Sequence, residues 1–508
     1  VAVETEDVEM NSLLPRYVNY PKLNVHPAFG VEYGTVSRNE NAELWRDRSY
    51  TNIDPVVFKG FYPEELEDDA ADEAAGFVFA AEKDGLKNEG RAELKADEYQ
   101  TYDFGRTVTG FFTLHVSAKK DTTLFLQFDE ILTDKGTYKE VSPFRNGCCN
   151  VLKYTMPAGE YDLISFEANA TRFASVVLTE GEAEISGFGM VLYENPDAGD
   201  YQYDYQDEEL NKIVRAAVNT LAQNAVDVLT DCPSRERAGW LCDSYFSSRA
   251  ESLFTGKNLV EKSFLENYAM CHQSPFLPEG MLPMCYPSDH NDENYIPNWT
   301  MWYMLELRNY LNRTGDRELI EASRPKVLGL LKFFEKYENE YGLLENLEKW
   351  VFIEWSKCND PEYICGLNFP SNMIWAAALE AVAEVYEMPE LIDKSNKIKQ
   401  AILELSWNGE FFEDNSIRDA EGKLIKTGHT TETCQYYAFY FKTASKETHP
   451  ELFELMRTKF GPKRDVESVY PEVYQSNAYT LSRLVFELIS ARNDYMTSIW
   501  MGQSYFGV

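Results

Sequence analysis

The hydrophobic pattern of the chain changes once, near residue 199. From about residue 100 apolar and polar residues alternate, which is the two-residue period of strands with one buried face. Polar turn residues separate the predicted strands, which lie at 107–116, 123–128, 150–155, 163–167, 173–178 and 184–193. Short strands at such close intervals indicate an antiparallel β-sandwich.

Beyond a break at 195–199 the period becomes helical and stays helical. A first helix is predicted to begin near the cap residue Asp207 and to lead to Asp231. Asp316 and Ser371 are the predicted caps of two later helices. Further helices are predicted at 244–256, 258–271, 300–312, 318–337, 372–387, 391–406, 430–443, 450–459, 475–491 and 494–506. About eleven helices with no intervening strands disfavour a Rossmann or TIM layout.

The pattern divides the chain into three parts. Residues 1–60, punctuated by Pro and Asn, are predicted to form an arm or edge strands, residues 61–198 the β-sandwich, and residues 199–508 the helical domain. The acidic run at 64–75 is predicted to be a solvated loop or short surface helix. A chain of 508 residues exceeds what one core usually serves, which agrees with several domains.

Composition excludes several classes of function. The formal net charge of −36 and the absence of a basic stripe disfavour nucleic acid as a partner. No apolar window is long enough for a membrane span. Six histidines without ligand spacing make a metal site improbable, and the nine scattered cysteines are expected to be free thiols. The compartment stays open between the cytoplasm and export.

One turn between helical patterns combines two arginines, three carboxyls and an indole, and its sequence is Asp231-Cys-Pro-Ser-Arg-Glu-Arg-Ala-Gly-Trp-Leu-Cys-Asp243. Neighbouring charges can tune the pKa of Glu236, as a general acid requires. Trp240 offers a flat apolar face to a sugar ring, while Asp231 and Arg235 can hydrogen-bond its hydroxyls. The alternative is a capped helix connection that carries surface ion pairs.

This turn resembles the signature loop of the α-L-rhamnosidases of glycoside hydrolase family 78, Asp-Cys-Pro-x-Arg-Asp-Glu-Arg-x-Gly-Trp-x-x-Asp. The chain lacks one acidic residue between Arg235 and Glu236, whereas the half from Glu236 onward matches position for position. The segments at 103–106, 159–161 and 165–167 resemble the β-domain that precedes the catalytic domain in that family.

The resemblance implies an (α/α)6 barrel, whose twelfth helix is expected to be missing at the carboxyl end. It implies inverting hydrolysis of terminal α-L-rhamnosides in oligosaccharides, polysaccharides or glycosides, with no cofactor. Glu236 would be the general acid. The implied substrate-binding residues are Asp231, Arg235, Trp240, Asp243, Trp299 and Trp355.

Other segments supply weaker candidates. Trp299 and Trp355 resemble aromatic residues of family loops, and Glu354 stands where the family has Asp. An equal alternative for Trp299 is that it packs in the protein core at the start of a helix. Glu432 and Glu472 are candidate carboxylates of the cleft. The alternative for Glu432 is that its segment only caps a helix, with a threonine as the cap residue. Gln435 is a further residue that could face the cleft with Glu432, whereas the capping alternative places Thr430 at the cap.

The general base is not assigned from the sequence. In the family it is a Glu after a Thr-x-x-Trp motif, but here Met501 follows Thr497-Ser-Ile-Trp500. Either the base is replaced or the true motif follows Val508, so this 508-residue form is expected to be inactive or impaired. Two alternatives remain open: a glycosidase of the same fold for another sugar, and a non-catalytic carbohydrate-binding protein.

Overall fold

The computed structural model describes residues 24–42, 69–84, 91–135, 139–145, 148–287, 293–461 and 464–476. The chain divides into two compact units. The β-rich unit consists of residues 17–239 and 247–260, and the helical unit of the remainder. The predicted helix at 494–506, all but two residues of that at 475–491, and the segment Thr497–Met501 lie outside the described residues.

The β-rich unit is built on antiparallel strands, as the alternating pattern predicts. Its short helix α1 spans Asp69–Ala75. Its described strands are β1 (Val25–Pro27), β2 (Phe29–Arg38), β3 (Phe77–Asp84), β4 (Ala92–Lys95), β5 (Glu98–Ala118), β6 (Thr122–Asp129), β7 (Leu132–Asp134), β8 (Lys139–Val141), β9 (Val151–Met156), β10 (Gly159–Ile164), β11 (Asn169–Glu180) and β12 (Glu182–Leu192).

The long strand β5 connects the two layers of the sandwich. Its first part pairs with β2, its last part pairs with β10 and β12, and β11 pairs with both parts. Gly105 lies between these parts with φ +79°, a conformation that glycine adopts without steric cost. β5 therefore pairs with four other strands of the ten-stranded sheet along its length.

Alternation along the strands decides which side chains form the core. Phe112, Leu114 and Val116 of β5 point into the main core between the layers. Tyr99 points to the opposite face, where it packs in a smaller cluster with Ala74 of α1. Burying an aliphatic or aromatic side chain of this size contributes about 1.5–3 kcal/mol.

The described amino-terminal parts form two strands and a short helix. Strands β1 and β2 pair with β12 and β5 of the main sheet. The described part of the acidic run at 64–75 forms the short helix α1, one of the two predicted alternatives, and this helix buries Ala71 and Ala74. Alanines spaced three apart on a helix lie on one face, and that face packs on the sheet.

Helices dominate from residue 208 onward. They are α2 (Glu208–Asn224), α3 (Asp243–Thr255), α4 (Leu259–Met270), α5 (Pro297–Thr314), α6 (Arg317–Glu335), α7 (Pro361–Ile364), α8 (Phe369–Tyr386), α9 (Glu390–Leu405), α10 (Glu432–Tyr440) and α11 (Pro450–Thr458). Short strands between them are β13 (Leu367–Asn368), β14 (Asn415–Arg418), β15 (Leu424–Lys426), β16 (Thr430–Thr431) and β17 (Val473–Tyr474).

Within the helical unit, buried and amphipathic helices alternate along the chain. Helices α5, α8 and α10 are buried over most of their surface, whereas α6, α9 and α11 each bury one stripe. Consecutive helices thus form hairpins with one inner and one outer member. The predicted order, an antiparallel β-domain followed by a helical-hairpin domain, is confirmed.

Helix caps show how local sequence sets these boundaries. Asp316 caps α6 by accepting a hydrogen bond from the Leu319 amide at 3.2 Å, as predicted. The predicted cap Ser371 is wrong, because Asn368 caps α8 and accepts from the amide of Ser371 at 2.8 Å. Asn competes well with Ser for this position. No described helix has the length and apolar character needed to cross a membrane.

Candidate active site

The segment 231–237, here named the acid loop, lies in the β-rich unit and is closed on itself. The amide of Asp231 donates to the Ala238 carbonyl at 3.2 Å, and the Ala238 amide donates to Asp231 Oδ1 at 3.3 Å. Arg237 has φ +51°, in the left-handed region that a non-glycine residue seldom adopts. The Asp231 carboxylate therefore holds the loop in shape.

Glu236 is half-buried in this loop, with 28% of its side chain exposed. Its carboxylate forms an ion pair with the Arg235 guanidinium, which is itself 54% exposed. The Glu236 amide donates to Cys232 Sγ at 3.3 Å. The Glu236 carboxyl therefore contacts a cation and is also accessible to solvent. Both properties suit a group that exchanges a proton with a ligand.

Arg237 connects the acid loop to the β-sandwich. Its guanidinium donates to the Ala168 carbonyl at 2.8 Å and to Glu167 Oε2 at 3.0 Å. These partners lie about seventy residues away in sequence, in the turn between β10 and β11. The second arginine of the motif therefore anchors the loop, whereas Arg235 contacts the carboxyl of Glu236.

Aromatic rings form a continuous cluster in the helical unit, here named the aromatic wall. Trp240 packs edge-to-face on Trp299 with ring centroids 5.4 Å apart, and Trp299 packs on Phe352 at 5.5 Å. Phe352 packs on Trp355 at 4.9 Å, and Trp350 lies 6.0 Å from Trp355. The cluster thus joins the three tryptophans that the sequence singles out.

Exposure differs sharply within the aromatic wall. Trp240 and Trp299 are 6% and 8% exposed, so they form its buried base, whereas Trp355 is 66% exposed. An exposed indole on a packed aromatic support offers the kind of face that stacks on a sugar ring. Trp350 and Phe352 were not predicted, although the close spacing of aromatic residues over 350–355 is the signal that could have found them.

An amide network holds the segment that carries the aromatic wall. Asn298, at the start of α5, donates to Ser371 Oγ at 2.8 Å and accepts from the Phe352 amide at 3.2 Å. Asn372 of α8 binds both the amide and the carbonyl of Leu344, at 2.7 and 2.9 Å. Fully paired buried amides of this kind make the position of a loop specific.

Two further carboxyls, those of Glu354 and Asp414, are buried in the helical unit. Glu354, 2% exposed, accepts from Thr433 Oγ1 at 2.8 Å and is also bonded by Ser356. Asp414 accepts from Thr431 Oγ1 at 2.8 Å. Burial raises the pKa of Asp414 to about 8, with a further contribution from the nearby negative charge of Glu354. Asp414 is therefore largely protonated at neutral pH.

Glu432 is fully buried at the first turn of α10. It forms an ion pair of 2.9 Å with Arg464, whose side chain is 1% exposed, and it accepts from the Tyr436 hydroxyl at 3.1 Å. Burial raises the pKa of Glu432 to about 7, although Arg464 opposes that shift. The structure therefore gives Glu432 a partner inside the protein.

The remaining candidates of this region have local roles. Thr431 caps α10 by accepting from the Cys434 amide at 3.1 Å, so the predicted cap Thr430 is off by one residue. Gln435 is buried and binds the amide and the carbonyl of Phe412, each at 2.8 Å. Glu472 has an exposed side chain, and its carbonyl accepts from Thr430 Oγ1 at 2.9 Å.

The predicted site residues are shared between the two units. Asp231, Arg235 and Glu236 belong to the β-rich unit, where the acid loop brings them together. The other predicted binding residues belong to the helical unit, and they are Trp240, Asp243, Trp299 and Trp355. Asp243 is the first residue of α3. No group of side chains able to hold a metal ion occurs among the described residues.

Two family models match the chain. Residues 203–455 match the six-hairpin glycosidase domain of bacterial α-L-rhamnosidases, and residues 94–180 match the concanavalin-like domain of the same proteins. The two matches fall on the helical hairpins and on the β-sandwich. The chain belongs to the bacterial α-L-rhamnosidases of glycoside hydrolase family 78.

Individual relatives agree with this assignment. An α-L-rhamnosidase of Formosa agariphila is 22% identical over 279 residues, which cover 51% of this chain and 29% of the relative. The family 78 rhamnosidase of Bacillus sp. GL1 superposes with a TM-score of 0.72 at 17% identity, over 87% of this chain and 46% of that one. The Klebsiella oxytoca rhamnosidase with rhamnose bound gives 0.65 at 15% identity, over 96% and 87%.

These coverages set the scope of the comparison. The chain spans less than half the length of the Formosa relative and of the Bacillus enzyme. At identities of 15–17% the solved structures show the fold.

Proposed function

We propose that this protein is a glycosidase that hydrolyses terminal α-L-rhamnosides with inversion at the anomeric carbon. The observation that carries the proposal is the acid loop, which presents Glu236 beside Arg235 and is braced by Asp231 and Arg237. Family membership supports a glycosidase, and the bound rhamnose of the Klebsiella enzyme supports the sugar.

In the proposed reaction Glu236 gives its proton to the glycosidic oxygen as the bond from that oxygen to the anomeric carbon breaks. A water molecule attacks the same carbon from the opposite face and loses a proton to a second carboxylate. The products are free rhamnose and the protonated leaving group. In inverting glycosidases the two carboxyls lie about 6.5–9.5 Å apart, which leaves room for the water.

The other predicted residues would bind the sugar. Arg235 and Asp243 would hydrogen-bond ring hydroxyls, and Arg235 would also stabilise the Glu236 carboxylate after proton transfer. Trp355 would stack on the ring because it is the exposed member of the aromatic wall. Trp240 and Trp299 would line the pocket from behind and keep Trp355 in place.

The test is hydrolysis of a panel of aryl glycosides, with the first-formed anomer identified by proton NMR. Release of β-L-rhamnose from an aryl α-L-rhamnoside is the expected result. Turnover of a different glycoside alone would overturn the proposed substrate. Binding of rhamnose without turnover of any glycoside would instead support the carbohydrate-binding alternative.

A further inference from the structure

The turn that receives Arg237 carries unusually exposed apolar side chains. Phe166 is 101% exposed relative to the reference value, and Ile164, at the end of β10, is 57% exposed. Ser165 between them is buried. Phe166 has the highest exposed fraction among the large hydrophobic residues that the structure describes.

This exposure does not come from a loose loop. The Ser165 amide donates to the Phe112 carbonyl at 3.0 Å, and Ser165 Oγ accepts from the Phe112 amide at 3.0 Å. The Ser165 hydroxyl also donates to the Glu167 carbonyl at 2.8 Å, and Asn169 Nδ2 donates to the same carbonyl at 2.9 Å. The phenyl ring is therefore held out on a hydrogen-bonded turn.

The same turn is bonded directly to the acid loop. Arg237, the residue after Glu236, binds both Glu167 and the Ala168 carbonyl. Phe166 thus precedes Glu167, the residue that binds Arg237. Arg237 in turn follows Glu236, the proposed proton donor. All of these residues lie in the β-rich unit.

We propose that Phe166, supported by Ile164, is the platform that binds the leaving group of the glycoside. The inference rests on the proposed function, because a proton donor acts on the oxygen that joins the sugar to its leaving group. The turn of Phe166 is bonded to the acid loop, but the ring lies outside that loop. It can therefore contact the leaving group, which lies beyond the glycosidic oxygen. Phe166 would therefore determine specificity for the leaving group.

The surroundings of the platform indicate which leaving groups it accepts. Phe166 has no hydrogen-bonding group, so it recognises a flat apolar face. Glu160, Asp162 and Glu167 are exposed carboxylates along the same turn and strand, with His115 between the first two at 3.0 and 2.8 Å. An anionic leaving group would be repelled. The class that fits is a neutral aromatic aglycone.

The experiment compares two substrates that differ in the leaving group. 4-Methylumbelliferyl α-L-rhamnoside carries a neutral bicyclic aromatic aglycone, whereas α-L-rhamnosyl fluoride carries no aglycone body. Phe166→Ala should lower kcat/KM for the first about five- to tenfold, the size of one aromatic stacking contact. It should leave kcat/KM for the fluoride unchanged, and Phe166→Trp should retain activity on both.

Phe29→Ala is the matched control, because Phe29 is an exposed phenylalanine of the same unit, in β2. This substitution should leave kcat/KM unchanged for both substrates. Equal losses on both substrates in Phe166→Ala would overturn the inference, as would no loss on either. Failure of the full native protein to hydrolyse either rhamnoside would overturn the proposed function itself, and the inference with it.

Discussion

Two pairs of glutamate and arginine in this chain have the same chemistry and opposite surroundings. In the acid loop Glu236 pairs with Arg235, and the side chains are 28% and 54% exposed. In the helical unit Glu432 pairs with Arg464, and the side chains are 0% and 1% exposed. The first pair can exchange its partner for a ligand, whereas the second is enclosed by protein.

The comparison shows why residue type and motif alone are weak guides to role. Burial makes the Glu432 charge costly, so Arg464 is needed to compensate it. At Glu236, water still solvates both groups, and the ion pair there contributes little to stability. The partly exposed pair is therefore free to serve chemistry, and the enclosed pair serves structure.

The largest expected effect is on catalysis through the acid loop. Glu236→Gln should lower kcat about 10²–10⁴-fold for poor leaving groups, because proton donation is lost. The free energy of unfolding, measured in urea, should stay within about 0.5 kcal/mol of that of the parent protein. Glu410→Gln, at an exposed position, is the control. Loss of stability with retained activity would show that the acid loop is only structural.

The enclosed pair should respond in the opposite way. Arg464→Met should lower the free energy of unfolding by about 3–5 kcal/mol, because it leaves the Glu432 carboxyl buried without its cation. Urea titration monitored by circular dichroism measures this change. Adding Glu432→Gln to the same protein should recover part of the loss. A single variant as stable as the parent would contradict the structural role of the pair.

Asp414 is another buried carboxyl, and no cationic side chain among the described residues hydrogen-bonds with it. The unfolded chain ionises Asp414 near its usual pKa of 3.8, whereas the folded protein retains the proton up to about 8. The folded state binds the extra proton between these values, so its stability falls as pH rises through this window. The slope approaches about 1.4 kcal/mol per pH unit.

Asp414→Asn should remove this contribution, since the amide does not ionise. Measured from pH 5 to pH 7, the free energy of unfolding of the parent should fall by about 2–3 kcal/mol relative to the variant. The hydrogen bond from Thr431 can be kept by the amide oxygen. Parallel pH profiles for the two proteins would show that Asp414 is ionised in the folded state.

The smallest expected effect concerns the exposed end of the aromatic wall. Trp355→Ala should raise KM for aryl rhamnosides about five- to tenfold, because one stacking contact is lost. Stability should change little, since 66% of this side chain is already in water. Trp355→Phe should restore most of the binding. A large loss of stability without a change in KM would make Trp355 a core residue.

Much of the fold followed from periodicity. The helix predicted at 318–337 is observed as Arg317–Glu335, and the strand predicted at 123–128 as Thr122–Asp129. These segments repeat a single pattern over many residues, so local spacing suffices. Caps were less predictable, because Asn368 and Ser371 both suit the start of α8 and only the backbone geometry distinguishes them.

The candidate site was predictable where its residues are close in sequence and less so elsewhere. The acid loop stood out because its charges, Pro and Trp fall within a few residues. The role of Arg237 did not, since its partners Glu167 and Ala168 belong to a strand turn far away in the chain. The partner of Glu432 was hidden for the same reason.

Period and motif are local properties, so the amino-acid sequence was enough to predict a β-sandwich followed by helical hairpins and to single out Glu236. Tertiary structure alone decided which arginine contacts which carboxylate, which tryptophan faces water and which carboxyl retains its proton. Those outcomes depend on burial and on distances between remote segments. Local spacing in the chain does not encode such distances; they arise when separate layers pack.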